Sequence, residues 1–176
     1  MTSDSAADLN DRAIAPVYLV IDNEMVLDGP IRDVWLHILN YPSWQNYAEV
    51  RHVSGTPGKE GEVVSLVKAE DGFVFPPYYA RTIKLDPPNR VVWKTFIEKG
   101  THEIDRFGII DFRLHDLGER TRFCSHLYYE FLVPYRDEAE LDAFRKQQEE
   151  NFRVLQTATR PRLRELVSRR AASQGA

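Results

Sequence analysis

From Glu49 to Pro134 the chain repeats one pattern, in which segments of strand length alternate with short turn-forming stretches. Gly55, Gly58 and Gly61 mark one turn, Asp86-Pro87-Pro88-Asn89 a second and Asp116-Leu117-Gly118-Glu119 a third. The segments between them are rich in β-branched and aromatic residues, and no helical period interrupts the run. Strands joined by turns too short for a crossover must pair antiparallel, so the middle of the chain is expected to form a meander.

The flanks differ in kind. Val17, Leu19, Ile21, Met25 and Leu27 alternate with polar residues, which predicts a half-buried first strand with Asn23 as a polar interruption on its inner face. Asp28-Gly29-Pro30 then opens a helix carrying Ile31, Val34, Trp35 and Ile38 at helical spacing, and Tyr41-Pro42 stops it. Pro42-Ser43-Trp44-Gln45-Asn46 suggests a second short helix. After Pro134, residues 137 to about 159 predict one long helix, with acidic residues at its start and arginines at its end, as the helix dipole favours. Leu141, Phe144, Gln148, Phe152, Leu155, Thr159, Leu163 and Leu166 follow one stripe, and Pro161 is expected to kink the helix or split it. The fold class is α+β: a curved antiparallel sheet of about seven strands around a long C-terminal helix, with two short helices after the first strand.

Composition narrows the roles open to such a domain. At 176 residues, with 43% hydrophobic and 28% charged residues, the chain is long and apolar enough for one core. Its net charge of -4 supplies no overall positive field, which argues against nucleic acid or a membrane surface as partner. Cys124 is the sole cysteine, so no intrachain disulfide forms and a reducing compartment is expected. Residues 1–14 and 171–176 read as disordered tails around a domain at 15–170. With no apolar signal run or spanning segment, the cytoplasm is the expected location.

Three stretches carry a resemblance to a known family. Asp28-Gly29-Pro30-Ile31-Arg32-Asp33-Val34-Trp35, leading to Tyr41-Pro42-Ser43-Trp44, looks like a proline-started first helix followed by a tryptophan. Pro87-Pro88-Asn89-Arg90-Val91-Val92-Trp93 looks like a turn into a central strand, and Gly118-Glu119-Arg120-Thr121-Arg122-Phe123 like the approach to a last strand. Together, over roughly residues 17 to 168, they resemble the START/Bet v 1-like helix-grip superfamily, which also covers bacterial polyketide cyclases. That resemblance implies an internal cavity for a hydrophobic molecule and no shared catalytic signature.

Turn positions set an expected strand register, and register decides which side chains face the helix. A hairpin through residues 99–104 sets Trp93 opposite Ile110, Thr95 opposite Gly108 and Ile97 opposite Arg106. A turn at 116–119 sets Leu114 opposite Thr121, Phe112 opposite Phe123, Ile110 opposite Ser125, Gly108 opposite Leu127 and Arg106 opposite Tyr129. For the preceding strand, Leu85, Ile83, Arg81 and Tyr79 are matched with Val91, Trp93, Thr95 and Ile97. The expected ligand-binding face therefore holds Trp93, Phe112, Phe123, Leu127 and Phe152, together with Tyr79 and Arg81. Arg106, Tyr129 and the loop residue His102 are the candidate catalytic groups. A buried guanidinium is costly unless paired, so either inward carboxylates neutralise Arg81 and Arg106 or these arginines await an anionic ligand.

Other motifs were weighed against plainer accounts. Gly55-Thr56-Pro57-Gly58-Lys59-Glu60-Gly61 lacks the serine or threonine of a phosphate loop and reads as a hairpin turn. Phe73 and Phe75, in Gly72-Phe73-Val74-Phe75-Pro76-Pro77-Tyr78-Tyr79, belong either to a rigid lid over the ligand or to an edge strand broken by proline. Phe96, Phe107 and Ile109 share the outward face, which suggests either a homodimer interface or a surface covered by other parts of the chain. No histidine or cysteine spacing fits a metal set, and no cofactor is expected. The expected function is binding of a small hydrophobic or aromatic molecule bearing an anionic or phenolic group. The resemblance adds cofactor-independent cyclisation, dehydration or lyase chemistry. A non-catalytic lipid carrier and a partner-binding regulator are the alternatives.

Overall fold

The computed structural model describes residues 12–40, 49–67, 69–70, 73–74, 77–98 and 105–174. Strand β1 (Ala13–Leu27) leads into helix α1 (Ile31–Leu39). Strands β2 (Glu49–Ser54), β3 (Val63–Val67), β4 (Ala69–Glu70), β5 (Phe73–Val74), β6 (Tyr78–Asp86), β7 (Arg90–Ile97), β8 (Asp105–Asp116) and β9 (Thr121–Tyr135) follow, and helix α2 (Glu138–Gln174) ends the order. The second short helix expected at 42–46 lies outside the described residues.

One seven-stranded sheet carries the fold, in the order β1-β9-β8-β7-β6-β3-β2, and all its pairs are antiparallel. β1 pairs with β9 from Ala13↔Tyr135 to Leu27↔Thr121. The alternation in β1 behaves as expected: Val17, Leu19, Met25 and Leu27 are buried, whereas Tyr18, Val20 and Val26 are exposed. In α1, Pro30 itself is the N-terminal boundary, and its carbonyl accepts from the Asp33 and Val34 amides. The helix buries Ile31, Val34, Trp35 and Ile38.

Register follows expectation in one hairpin and departs from it in two. β7 and β8 pair as expected, with Trp93↔Ile110 and Thr95↔Gly108. β8 and β9 are displaced by two residues: Leu114 faces Phe123, Phe112 faces Ser125, Ile110 faces Leu127, Gly108 faces Tyr129 and Arg106 faces Phe131. The cause is the turn. Gly118 takes the positive φ of 80°, and the Leu117 amide donates to the Arg120 carbonyl, so the chain reverses one residue later than expected. A two-residue displacement preserves the faces, so the inner set survives.

The departure in β6 has larger consequences. Leu85↔Val91 holds, but an irregularity between Thr82 and Lys84 shifts the pairing, giving Thr82↔Trp93, Ala80↔Thr95 and Tyr78↔Ile97. A bulge of this kind moves the residues on its far side from the turn, here Tyr78 to Thr82, to the opposite face from that expected. Arg81 and Tyr79, expected inside, therefore face outward opposite Lys94 and Phe96. Tyr78, Ala80 and Thr82 take the inner positions.

Helix α2 does not break at Pro161; it is one element of 37 residues with the proline inside it, and it reaches Gln174, past the expected domain boundary at 170. Proline removes a backbone donor, but beyond it Leu163 and Val167 are 0% and 1% exposed, and this burial holds the last turns in place. Gly29 makes that packing possible, because a Cβ there would sit 2.6 Å from Val167 Cγ1. At the other end the Asp137 carboxylate accepts from the Glu140 amide at 2.9 Å, and the Glu140 carboxylate accepts from the Arg136 amide at 2.8 Å. This reciprocal cap is a single-residue determinant of the helix start. Asp137→Ala is expected to lower unfolding free energy by about 1 kcal/mol in chemical denaturation.

Candidate functional site

The apolar core is divided. One cluster joins α1 and the end of α2 to the sheet through Leu27, Val34, Ile38, Trp93, Phe112 and Leu163. The other joins the first half of α2 to β1 and β9 through Val17, Leu19, Tyr129, Phe131 and Phe152. Ile110 and Leu127 pack against both. Between the clusters lies an internal cavity of about 110 Å³, with the sheet as floor and α2 as roof.

Three cross-strand rows build the floor. Thr95, Gly108, Tyr129 and Leu19 form the first; Trp93, Ile110, Leu127 and Ile21 the second; Val91, Phe112, Ser125 and Asn23 the third. The first and third rows are about 13 Å apart along the strands. The aromatic wall is edge-packed, with Trp93 against Phe112 at 5.5 Å and Phe112 against Phe123 at 5.0 Å between ring centroids. Tyr129 and Phe152 meet at 4.6 Å. Gly108 has a positional role here, since a Cβ would lie 2.5 Å from Tyr129 Cδ1 and 2.8 Å from Thr95 Oγ1. The Tyr129 ring lies flat over a backbone that only glycine leaves bare.

Of the expected site residues, Trp93, Phe112, Phe123, Leu127, Phe152 and Tyr129 line this cavity. Tyr79 and Arg81 do not, because the β6 bulge turns them outward; Tyr79 instead stacks on Phe96 at 5.5 Å. Arg106 faces inward but stops short of the cavity, with its guanidinium carbon 4.1 Å from the Tyr78 ring centroid and 5.7 Å from that of Tyr129. Aromatic faces, and no carboxylate among the described residues, stabilise its charge. Phe73 lies in the two-residue strand β5, paired with Glu70. Phe75 and His102 lie outside the described residues.

The lining also has a polar part, Thr95, Ser125, Gln156, Thr159 and Arg160; the sequence put Thr95 and Ser125 on the inner face and Thr159 on the helix stripe without assigning them to the site, and gave no place in it to Gln156 and Arg160. Arg160 Nη2 donates to Asn23 Oδ1, which links α2 to β1 across the cavity wall. Thr95 Oγ1 and Gln156 Nε2 are buried with no hydrogen-bond partner among the described residues. The available signal was Asn23, a polar residue on an otherwise apolar strand face, together with the i, i+4 spacing of Phe152, Gln156 and Arg160.

Charge on the outer face is handled differently. Asp111 is 5% exposed; its burial opposes ionisation, but hydrogen bonds from Arg90 and Arg113 outweigh that and hold its carboxyl below the ordinary value. Phe107 lies edge-on to Tyr128 at 5.8 Å and beneath Lys94, so the outward aromatics are half-buried by their own neighbours. Burial and the Glu24 carboxylate raise the Cys124 thiol above its ordinary value, which leaves it a poor nucleophile.

An antiparallel seven-stranded sheet wrapped on a long C-terminal helix, with a cavity between them, is a helix-grip fold. Solved structures agree. An uncharacterized protein from Rhizobium leguminosarum superposes with a TM-score of 0.66 at 16% identity, over 89% of this chain and 99% of its own. An aromatase/cyclase from a Streptomyces species does so with a TM-score of 0.63 at 16% identity, over 88% and 96%. Norcoclaurine synthase from Thalictrum flavum gives 0.58 at 14% identity, over 96% and 95%. Likeness at these identities establishes the fold alone. No protein-family model and no curated protein matches the chain.

Burial raises the Tyr129 phenol above its ordinary value of 10.0; Arg106 acts in the opposite direction and Tyr78 adds to the rise. A raised folded value gives a stability contribution that is complete below the ordinary phenol value and is lost as pH climbs through the folded one. Tyr129→Phe is therefore expected to flatten the alkaline loss of stability above pH 10, measured by denaturation across that range. Gly108→Ala, which forces the ring off its seat, is expected to cost about 1–3 kcal/mol at neutral pH.

Proposed function

We propose that the cavity binds a small apolar or aromatic molecule carrying one anionic or phenolic group. The observation that carries this reading is the aromatic and aliphatic lining interrupted by a few polar atoms, which is the usual composition of a small-molecule site. Size narrows the class. An apolar cavity of about 150 Å³ accommodates benzene, so about 110 Å³ suits a single ring with modest adjustment of α2. Two structural neighbours lend support: one is an aromatase/cyclase, and the other is norcoclaurine synthase in complex with dopamine and hydroxybenzaldehyde.

Catalysis without a cofactor is the second reading, favoured by Tyr129. Its hydroxyl stays protonated through the neutral range, and the Arg106 guanidinium carbon lies 5.7 Å from its ring centroid. Such a group donates a proton or hydrogen bond to a carbonyl oxygen as negative charge develops there, the step shared by cyclisation, dehydration and carbon–carbon bond cleavage. The described lining holds one carboxylate, Glu24, which accepts from Cys124 Sγ at 3.8 Å. An acid is thus in place without a base beside it, and binding is the better-supported activity.

The test is calorimetric titration with toluene, using a variant that fills the cavity. Ala80 lines it and is 3% exposed, so Ala80→Leu projects new atoms into the space. Wild-type protein is expected to bind toluene and gain thermal stability, and Ala80→Leu to lose at least about tenfold in affinity. Equal binding by a folded Ala80→Leu protein would contradict an internal site.

A further inference from the structure

The polar atoms of the cavity are ordered along its length. Phe152, Gln156 and Arg160 succeed one another at i, i+4 on α2, which spaces them about 6 Å apart along the helix axis. Phe152 packs on Tyr129 of the first floor row, and Arg160 bonds to Asn23 of the third. Gln156 therefore stands between them, over the row containing Ile110 and Leu127. This order places Arg160 at one end of the cavity, Gln156 on the roof above the apolar middle of the floor, and Thr95 with Tyr129 at the other end.

The helix donors are under-satisfied. The Arg160 guanidinium reaches only the neutral amide oxygen of Asn23, and no carboxylate pairs with it among the described residues. Gln156 Nε2 is buried with no acceptor among the described residues. A half-buried guanidinium bonded to a neutral oxygen, one helical turn from an unpaired amide donor, lacks an anion with acceptor oxygens on both sides. A carboxylate has that shape, and its two oxygens match the remaining N–H groups of the fork better than a single phenolate oxygen does. Thr95 Oγ1, in a residue 6% exposed, is a further unpartnered group that lines the cavity, and it lies at the far end.

Building on the binding reading above, we infer that the ligand is a single-ring aromatic carboxylate bound head-first to α2. Its carboxylate is held by Arg160 and Gln156, and its ring lies between Trp93, Ile110 and Leu127. A hydroxyl or carbonyl substituent opposite the carboxylate reaches Thr95. The anion anchor is thus on the helix roof and not at Arg81 or Arg106.

Calorimetric titration of the full chain with toluene, phenol, benzoate and 4-hydroxybenzoate tests this. Benzoate is expected to bind at least about tenfold more tightly than toluene or phenol, the scale of a charge-assisted hydrogen bond, and 4-hydroxybenzoate more tightly still. Arg160→Gln is expected to weaken benzoate binding at least about tenfold and so erase its preference over toluene. Gln156→Leu, an independent variant, should weaken benzoate binding severalfold, and Thr95→Val should remove only the increment due to the hydroxyl. Equal binding of toluene and benzoate, phenol outbinding benzoate, or benzoate binding that survives both helix variants would overturn the anchor and leave the cavity reading intact. No binding of any of the four would overturn both.

Discussion

β1 and β9 pair along their whole lengths, and this pairing ties the first strand of the chain to the last strand of the meander. Such a contact is among the most distant in sequence that the chain makes, and its loop-closure cost is met only by a long, continuous ladder. Once it forms, β9 ends at Tyr135 on the same side of the sheet as the start of β1, and α2 begins at Glu138. The reciprocal cap of Asp137 and Glu140 directs the helix from there back along the inner face. Leu163 and Val167 then lock its far end against Gly29 and α1.

A 37-residue helix laid over a twisted sheet does not contact it equally along its length. The two ends of α2 pack closely, each with its own apolar cluster, and the middle spans a gap. The gap of about 110 Å³ leaves its apolar lining without close contacts, which costs packing energy. A molecule that fits recovers that cost, so binding and stability are coupled. The buried polar groups of Thr95 and Gln156 add to the same account, because each loses water on folding and gains no partner among the described residues. Sites that break local rules in this way are where function is expected to reside.

Much of this was legible in the sequence and some was not, for identifiable reasons. Alternation in β1, the turns and the stripe on α2 fixed the architecture, because they follow from side-chain period and backbone sterics. The β8–β9 faces were right although the turn was misplaced by one residue, since a two-residue displacement conserves parity. The β6 bulge near Ile83 left no sign in composition, and it turned Arg81 and Tyr79 outward. Arg160 was hidden among the arginines that close α2, which read as a solvated, dipole-matched end. Only the three-dimensional apposition to Asn23 distinguishes it from its neighbours. Pro161 misled in the opposite direction: local propensity argued for a break, and the burial of Leu163 and Val167 prevailed.

The most direct test of a ligand site between sheet and helix is a nuclear Overhauser measurement on methyl-labelled protein saturated with toluene. Contacts are expected from the toluene ring to the methyl groups of Leu66, Ile110, Leu127, Leu155 and Leu163, all of which line the cavity. None is expected to Val20, Val26 or Ile83, which are exposed elsewhere on the sheet. Contacts to the second set without the first would place the ligand outside the fold and contradict the account.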